Sequence, residues 1–257
     1  MRVFWQSFVD ESASAPYLKR LKDYLSEIAA PDVSVDVSGI SPADRDFGRL
    51  AELRCAVRAI DNGVEAERAG YDVYVLGHFQ DPGLYELRAT LRIPVVGVGE
   101  ASLFVAAQLG RRIGLVTLHP AFEVWHLEQA ERYGLRTRVT HVRGLGFEPA
   151  DFSAAFEGDA SARARLLARF SECAMPMVDD GADVIVPAGV LPGLLVASER
   201  GYRVGHAPVV NCASVALKAA EMWGQLRRLD GLEPSRGPSF ALSSERAKAD
   251  FQALLRS

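Results

Sequence analysis

Cysteine is scarce in this chain, with three in 257 residues, at Cys55, Cys173 and Cys212. They are odd in number and far apart, which argues against a disulfide framework and against the paired spacings of a zinc motif. Long hydrophobic runs are also lacking. The longest nearly apolar stretch, Val184 to Ala197, carries Pro187, Pro192 and two glycines, and is too short and broken to span a bilayer. Met1-Arg2-Val3-Phe4-Trp5 runs into Gln6, Ser7, Asp10 and Glu11 without the apolar core of a signal peptide. A cytoplasmic protein without membrane association is the expectation. Positive charge is not in excess: 29 Lys and Arg face 33 Asp and Glu, for a net charge of −4. That balance argues against nucleic acid as a partner. The basic clusters Arg111-Arg112, Arg136-x-Arg138 and Arg227-Arg228 are short and read as solvated faces. No third glycine completes a dinucleotide loop after Gly97-Val98-Gly99, and no Walker lysine occurs. His78 and Asp81 are close in sequence but lack a third metal ligand. No metal and no cofactor are expected.

What is present is an ordinary globular composition, 49% hydrophobic and 24% charged. Short apolar runs alternate with helical periods. Strands are expected at Val3–Gln6, Val33–Val37, Val73–Leu76, Pro94–Val98, Ile113–Thr117, Val139–Val142, Val184–Val186 and Val209–Val210. Helices are expected between them, including Asp10–Ala29, a long second helix marked by Phe47, Leu50, Leu53, Val57 and Ile60, and Ala160–Asp180 with a kink at Pro176. A helix near Ala101–Leu109, one at Phe122–Tyr133, one at Ala213–Leu229 and a final one at Ser243–Leu255 complete the pattern.

The chain repeats itself. Gly70-Tyr-Asp-Val-Tyr-Val matches Gly181-Ala-Asp-Val-Ile-Val, and each is followed by Pro-Gly-Leu. Arg2–Ser7 matches Arg112–Thr117, and Pro94-Val95-Val96 matches Pro208-Val209-Val210. The expected fold is therefore α/β, with two pseudo-symmetric lobes, each a parallel sheet flanked by helices. One lobe takes residues 1–101 plus 212–257, the other 102–211. Ligands bind at the carboxyl ends of such strands, here in the cleft between the lobes. The segments there are Gln6-Ser7-Phe8, Gly77-His78-Phe79-Gln80, Gly97–Glu100, Thr117-Leu118-His119, Ala188-Gly189-Val190 and Asn211–Ser214. The mirror breaks at one position, with His78 on one side and Gly189 on the other.

The segments Gly77–Leu84, Pro94–Ala101, Leu109–Thr117, Arg132–Leu135 and Gly181–Val186 resemble the aspartate/glutamate/hydantoin racemase superfamily, over roughly Val3 to Glu221. The resemblance implies an active site between two lobes and acid–base chemistry at a carbon next to a carbonyl. It also implies two cysteines on opposite faces of that carbon, at the positions held here by His78 and Gly189. Neither is cysteine, so the two-thiol mechanism does not carry over. His78 is then the expected acid–base residue, since imidazole titrates near neutral pH. Glu100 is expected to assist it as a second catalytic group. Gln6, Ser7, Thr117, Gly189, Asn211 and Cys212 are expected to bind substrate through hydroxyls, amides and strand-end backbone. For His78 the alternative is a structural strand-end histidine, and for Glu100 simple helix-start electrostatics. Ser7 and Thr117 have ordinary capping as theirs, and Cys212 has inert burial. The expected partner is a small carboxylate or cyclic amide, and the reading is compatible with a homo-oligomer. A lyase or hydrolase on the same fold, and a non-catalytic binder, remain the rivals.

Overall fold

The computed structural model describes residues 1–42 and 47–255. Its elements run β1 (Arg2–Gln6), α1 (Ala15–Ile28), β2 (Ser34–Ser38), α2 (Arg49–Arg68), β3 (Val73–Leu76), α3 (Leu84–Thr90), β4 (Val95–Gly97) and α4 (Val98–Leu109). The chain then continues with β5 (Ile113–Thr117), α5 (Glu123–Arg132), β6 (Val139–Gly144), α6 (Ser153–Phe156), α7 (Ala160–Asp179), β7 (Val184–Ala188) and α8 (Val190–Ala197). It ends with β8 (Arg203–Val204), β9 (Ala207–Pro208), α9 (Cys212–Asp230) and α10 (Glu245–Leu254). The expected α/β architecture of helix-flanked parallel sheets is present. One sheet has the order β2-β1-β3-β4 and the other β6-β5-β7. Val209 bridges Ile185 in parallel beyond β7, in place of the full strand expected at 209–210. After β7 the chain returns to the first sheet, where α9 packs on α4 and against β3 and β4. Apolar residues from both sheets share one core, among them Val3, Val75, Val96, Ile113, Leu115 and Val186.

The repeat noticed in the sequence has a counterpart in register. Val3 pairs with Val73 in one sheet, and Ile113 with Val184 in the other. Tyr74 pairs with Val95 where Ile185 pairs with Val209. The shared aspartate does the same task twice. Asp72 Oδ2 accepts the Arg2 N–H, while Asp183 Oδ2 accepts those of Arg111 and Arg112. Each carboxylate thus ties the start of its strand to the start of the central strand beside it.

Two sequence readings change. The stripe Phe47, Leu50, Leu53 is not the buried face of α2, because Leu50 and Leu53 are exposed. The buried face carries Cys55, Ala56, Ala59, Ile60 and Gly63 instead. Small side chains let this face pack closely, and they carry little weight in a hydrophobicity count. Helices α3 and α8 were not foreseen. α3 is only two turns long, and α8 is apolar all round, so neither shows a face-to-face contrast. α7 is the expected long helix and contains Pro176.

Gly99 shows how tightly the strand-end loops are held. A Cβ there would land on the Phe79 carbonyl oxygen, inside van der Waals contact, and on the Gln129 amide. A backbone atom cannot rotate away, so Gly99→Ala forces the 77–83 turn to move. Overpacking of this kind costs about 3 kcal/mol, and urea denaturation of the variant will show a loss of that size.

Candidate active site

Both central strand pairs end at one cavity of about 400 Å³. In the first sheet the strand order reverses between β1 and β3, and in the second between β5 and β7. These are the switch points where strand-end loops part and leave a crevice. Ser7 and Phe8 enter the cavity wall after β1, and Gly77, His78, Phe79 and Gln80 after β3. Leu118 follows β5, and Ala188 to Pro192 follow β7. Tyr17 of α1 and Glu52 of α2 close the sides.

His78 is the centre of the site. Its Nε2 lies 2.7 Å from Glu52 Oε1. The imidazole stacks on Phe8, with centroids 4.6 Å apart and planes 17° from parallel. A carboxylate that accepts from Nε2–H selects that tautomer and places the neutral ring's lone pair on Nδ1. Glu52 Oε2 is buried and has no hydrogen-bond partner among the described residues. Glu52 was not foreseen, yet it is in phase with Ala56, Ala59 and Gly63 on the buried face of α2. A carboxylate on a stripe of small buried residues is the signal that was available.

The turn that presents His78 is fixed by Asp81. This residue has φ +51°, which aspartate tolerates better than most side chains. Its carboxylate accepts from the backbone N–H groups of Gly99 and Glu100 at the start of α4, from Gln129 Nε2, and from the Tyr133 hydroxyl at 2.7 Å. Gln129 Nε2 also donates to the Phe79 carbonyl. His126 extends the network. Its Nδ1 faces Gln129 Oε1 at 3.1 Å, and its Nε2 faces Thr117 Oγ1 at 2.9 Å. Because the Gln129 NH2 group is spent on Phe79 and Asp81, its oxygen faces the ring. Nδ1 of His126 therefore carries the proton, and Nε2 accepts from Thr117.

Of the residues expected at the site, the structure brings together His78, Ser7 and Gly189. Five others stand elsewhere. Glu100 turns away and pairs with Arg88, whose guanidinium draws it to the outer side of α4. The Gln6 amide is spent inside the protein, where it donates to the Ser7 and Gly39 carbonyls and accepts from Asn62. Thr117 is buried against His126 and the Ala188 carbonyl. Asn211 caps α9, accepting from Ala213 and Ser214, and donates to the Tyr24 hydroxyl. The Cys212 thiol is fully buried and donates to the Gly189 carbonyl at 3.3 Å, and burial pushes its pKa up to about 12. It supports the Gly189 backbone from behind. Gly189 has φ +159° and precedes α8, whose first-turn N–H groups lack intrahelical acceptors. Among the described residues no group of three or more His, Cys, Asp or Glu side chains is placed to hold a metal ion. No helix among them is long and apolar enough to cross a membrane.

Two strand-end switch points open on one cavity, the place where α/β proteins of this architecture bind their ligands. The profile of the Asp/Glu/Hydantoin racemase family matches residues 8–223, and the chain belongs to that family. A hydantoin racemase of Rhizobium meliloti is 29% identical over 209 residues, covering 81% of this chain and 79% of the relative. The allantoin racemase structure from Pseudomonas fluorescens superposes with a TM-score of 0.74 at 23% identity, covering 95% of this chain and 97% of that one. Arylmalonate decarboxylase shares the fold with a TM-score of 0.54 at 16% identity, over 95% of this chain and 100% of its own. The chain is thus a racemase-superfamily enzyme.

Burial lowers the His126 pKa from 6.5 to about 4 and raises that of Asp81 from 3.8 to about 7. The two act on stability in opposite senses. His126 binds its proton first in the unfolded chain, so its contribution is complete above pH 6.5 and is lost as pH falls to about 4. Asp81 holds its proton longer in the folded chain, so its contribution is complete below pH 3.8 and is lost as pH rises through about 7. His126→Gln removes only the first. The stability difference between wild type and this variant should shrink by about 3 kcal/mol between pH 7 and pH 4. Urea titrations at the two pH values measure it, and a pH-independent difference would refute the neutral, buried imidazole.

Proposed function

We propose that this enzyme performs cofactor-independent acid–base chemistry on a carbon next to a carbonyl, with His78 as its single base. The observation that carries the reading is the 2.7 Å His78–Glu52 pair at the mouth of two strand-end loops, opposite a glycine. His78 takes the C–H proton, the bonding electrons move to the carbonyl oxygen as an enolate, and the protonated imidazole returns a proton to carbon. Glu52 orients the ring and stabilises the imidazolium that forms. The Val190 and Leu191 N–H groups, which open α8 ahead of Pro192, serve a substrate carbonyl or anionic oxygen. Gly189 supplies no acid on the far face, so proton exchange proceeds faster than inversion.

Cavity charge favours a neutral substrate. No lysine or arginine lines the cavity among the described residues, whereas Asp10 and Glu52 do. Among those residues a dianion would find no counter-charge. A cyclic amide with an apolar substituent suits the walls, which carry Phe8, Phe47, Phe79 and Phe122. The names of the curated relatives agree with that class. A lyase, including a decarboxylase, is the second reading, and the absence of a far-side acid supports it.

The test is C5–H exchange of 5-benzylhydantoin, with allantoin and phenylmalonate as comparison substrates, followed by NMR in deuterium oxide. Wild type is expected to incorporate deuterium into 5-benzylhydantoin faster than optical rotation decays. His78→Ala should slow exchange at least about 1000-fold and Glu52→Gln about 10- to 100-fold, with folding intact. Full exchange by His78→Ala would defeat the reading. Release of carbon dioxide from phenylmalonate, with no exchange into the hydantoin, would favour the lyase.

A further inference from the structure

Tyr17 stands apart from the other buried and half-buried tyrosines. Tyr24, Tyr74, Tyr133 and Tyr202 each hold a hydroxyl contact of 2.5 to 2.8 Å, to Ser214, Ala59, Asp81 and Ser171 respectively. Even Tyr71, near the surface, donates to Asp36 at 2.7 Å. Tyr17 is only 6% exposed, and its hydroxyl has one partner among the described residues, the Ser7 hydroxyl at 3.5 Å. In that contact Ser7 donates, so the Tyr17 proton has no acceptor among the described residues. A buried tyrosine hydroxyl ordinarily finds one. The residue lines the same cavity as His78 and Gly189.

We infer that Tyr17 donates its hydroxyl proton in a hydrogen bond to the substrate oxygen that becomes negative as His78 removes the carbon-bound proton, with Ser7 donating in turn to the Tyr17 oxygen. The inference rests on the His78 reading above and adds an electrophilic group to it. Donors fixed where charge develops are worth most in a water-poor site. Burial raises the Tyr17 pKa well above its ordinary value, and the nearby Cys212 thiol adds to the rise. The hydroxyl therefore stays neutral and serves as a donor across the working pH range. No bond is made or broken at Tyr17, and the proton that moves is the one exchanged between carbon and His78. Ser7 has no acidic role. It polarises the phenol by donating to its oxygen, and donors linked in this way strengthen one another.

The experiment is the same exchange of 5-benzylhydantoin with Tyr17→Phe, Ser7→Ala and the double variant. Tyr17→Phe should lower kcat about 100-fold, with KM changed little and the thermal midpoint held. Ser7→Ala should lower kcat several-fold in the wild-type background and not at all in the Tyr17→Phe background. That non-additivity is a signature that a packing role for Ser7 would not produce. Wild-type exchange by Tyr17→Phe, or equal Ser7→Ala losses in both backgrounds, overturns the inference while leaving His78 in place. If Tyr17→Phe does not fold, Ser7→Ala alone decides, and an unchanged kcat overturns the relay. A wild-type enzyme inert on all three substrates brings down the His78 reading and this inference with it.

Discussion

The carboxylate of Asp81 is the knot on which the site depends. It receives two backbone N–H groups from the start of α4, an amide from Gln129 and a hydroxyl from Tyr133. α4 continues from the last strand of the first sheet, while Gln129 and Tyr133 belong to the helical region after β5. One buried carboxyl group therefore binds elements from both halves of the chain, three residues from His78. Such a group costs a great deal when unpaired, and four donors offset that cost. The result is a turn with little freedom, and a base can be aimed only if the turn carrying it does not move. Gly99 belongs to the same constraint, because its missing side chain lets the α4 backbone approach the Phe79 carbonyl.

On that scaffold the chemistry lies in very few atoms. The backbones at His78 and Gly189 are set by Asp81 on one side and by the Cys212 thiol on the other. What an imidazole requires in addition is a partner to hold its ring, and α2 supplies it as Glu52. The buried stripe of α2 is built from alanine, cysteine and glycine. It brings the helix near enough to the strand ends for a glutamate in its first turn to reach the ring. The pairing of His78 with Glu52 is thus a consequence of helix packing as much as of the site itself.

Much of this was legible in the sequence, and the limits have physical causes. Strand–helix alternation and the repeat around Gly70 and Gly181 led to the architecture, because period-2 and period-3.6 patterns are local properties. His78 was legible by its place at a strand end and by the family motif around it. Glu100, Gln6, Thr117, Asn211 and Cys212 were assigned to the cavity on strand-end position alone. Position does not say where a side chain points once Arg88, Asn62, His126 or a helix cap competes for it. Glu52 was obscured because Leu50 and Leu53 suggested a different buried face for α2. Tyr17 escaped because a lone tyrosine on an amphipathic helix looks like core. Only the absence of an acceptor for its proton sets it apart, and acceptors are a property of the folded chain.

The asymmetry of the cavity has a further consequence. An enzyme with acids on both faces of a carbon can work with a weakly polarised carbonyl, because proton removal and delivery overlap. On the proposed mechanism, with one imidazole and a glycine, the enolate has to persist until the same ring returns the proton. The site then needs more stabilisation of the oxygen than a two-sided site does. Hydroxyl donors and the amides of α8 can give it without a cation, and the described cavity wall offers no lysine or arginine. On the proposed mechanism, the Tyr17 hydroxyl meets that need by lowering the energy of the enolate.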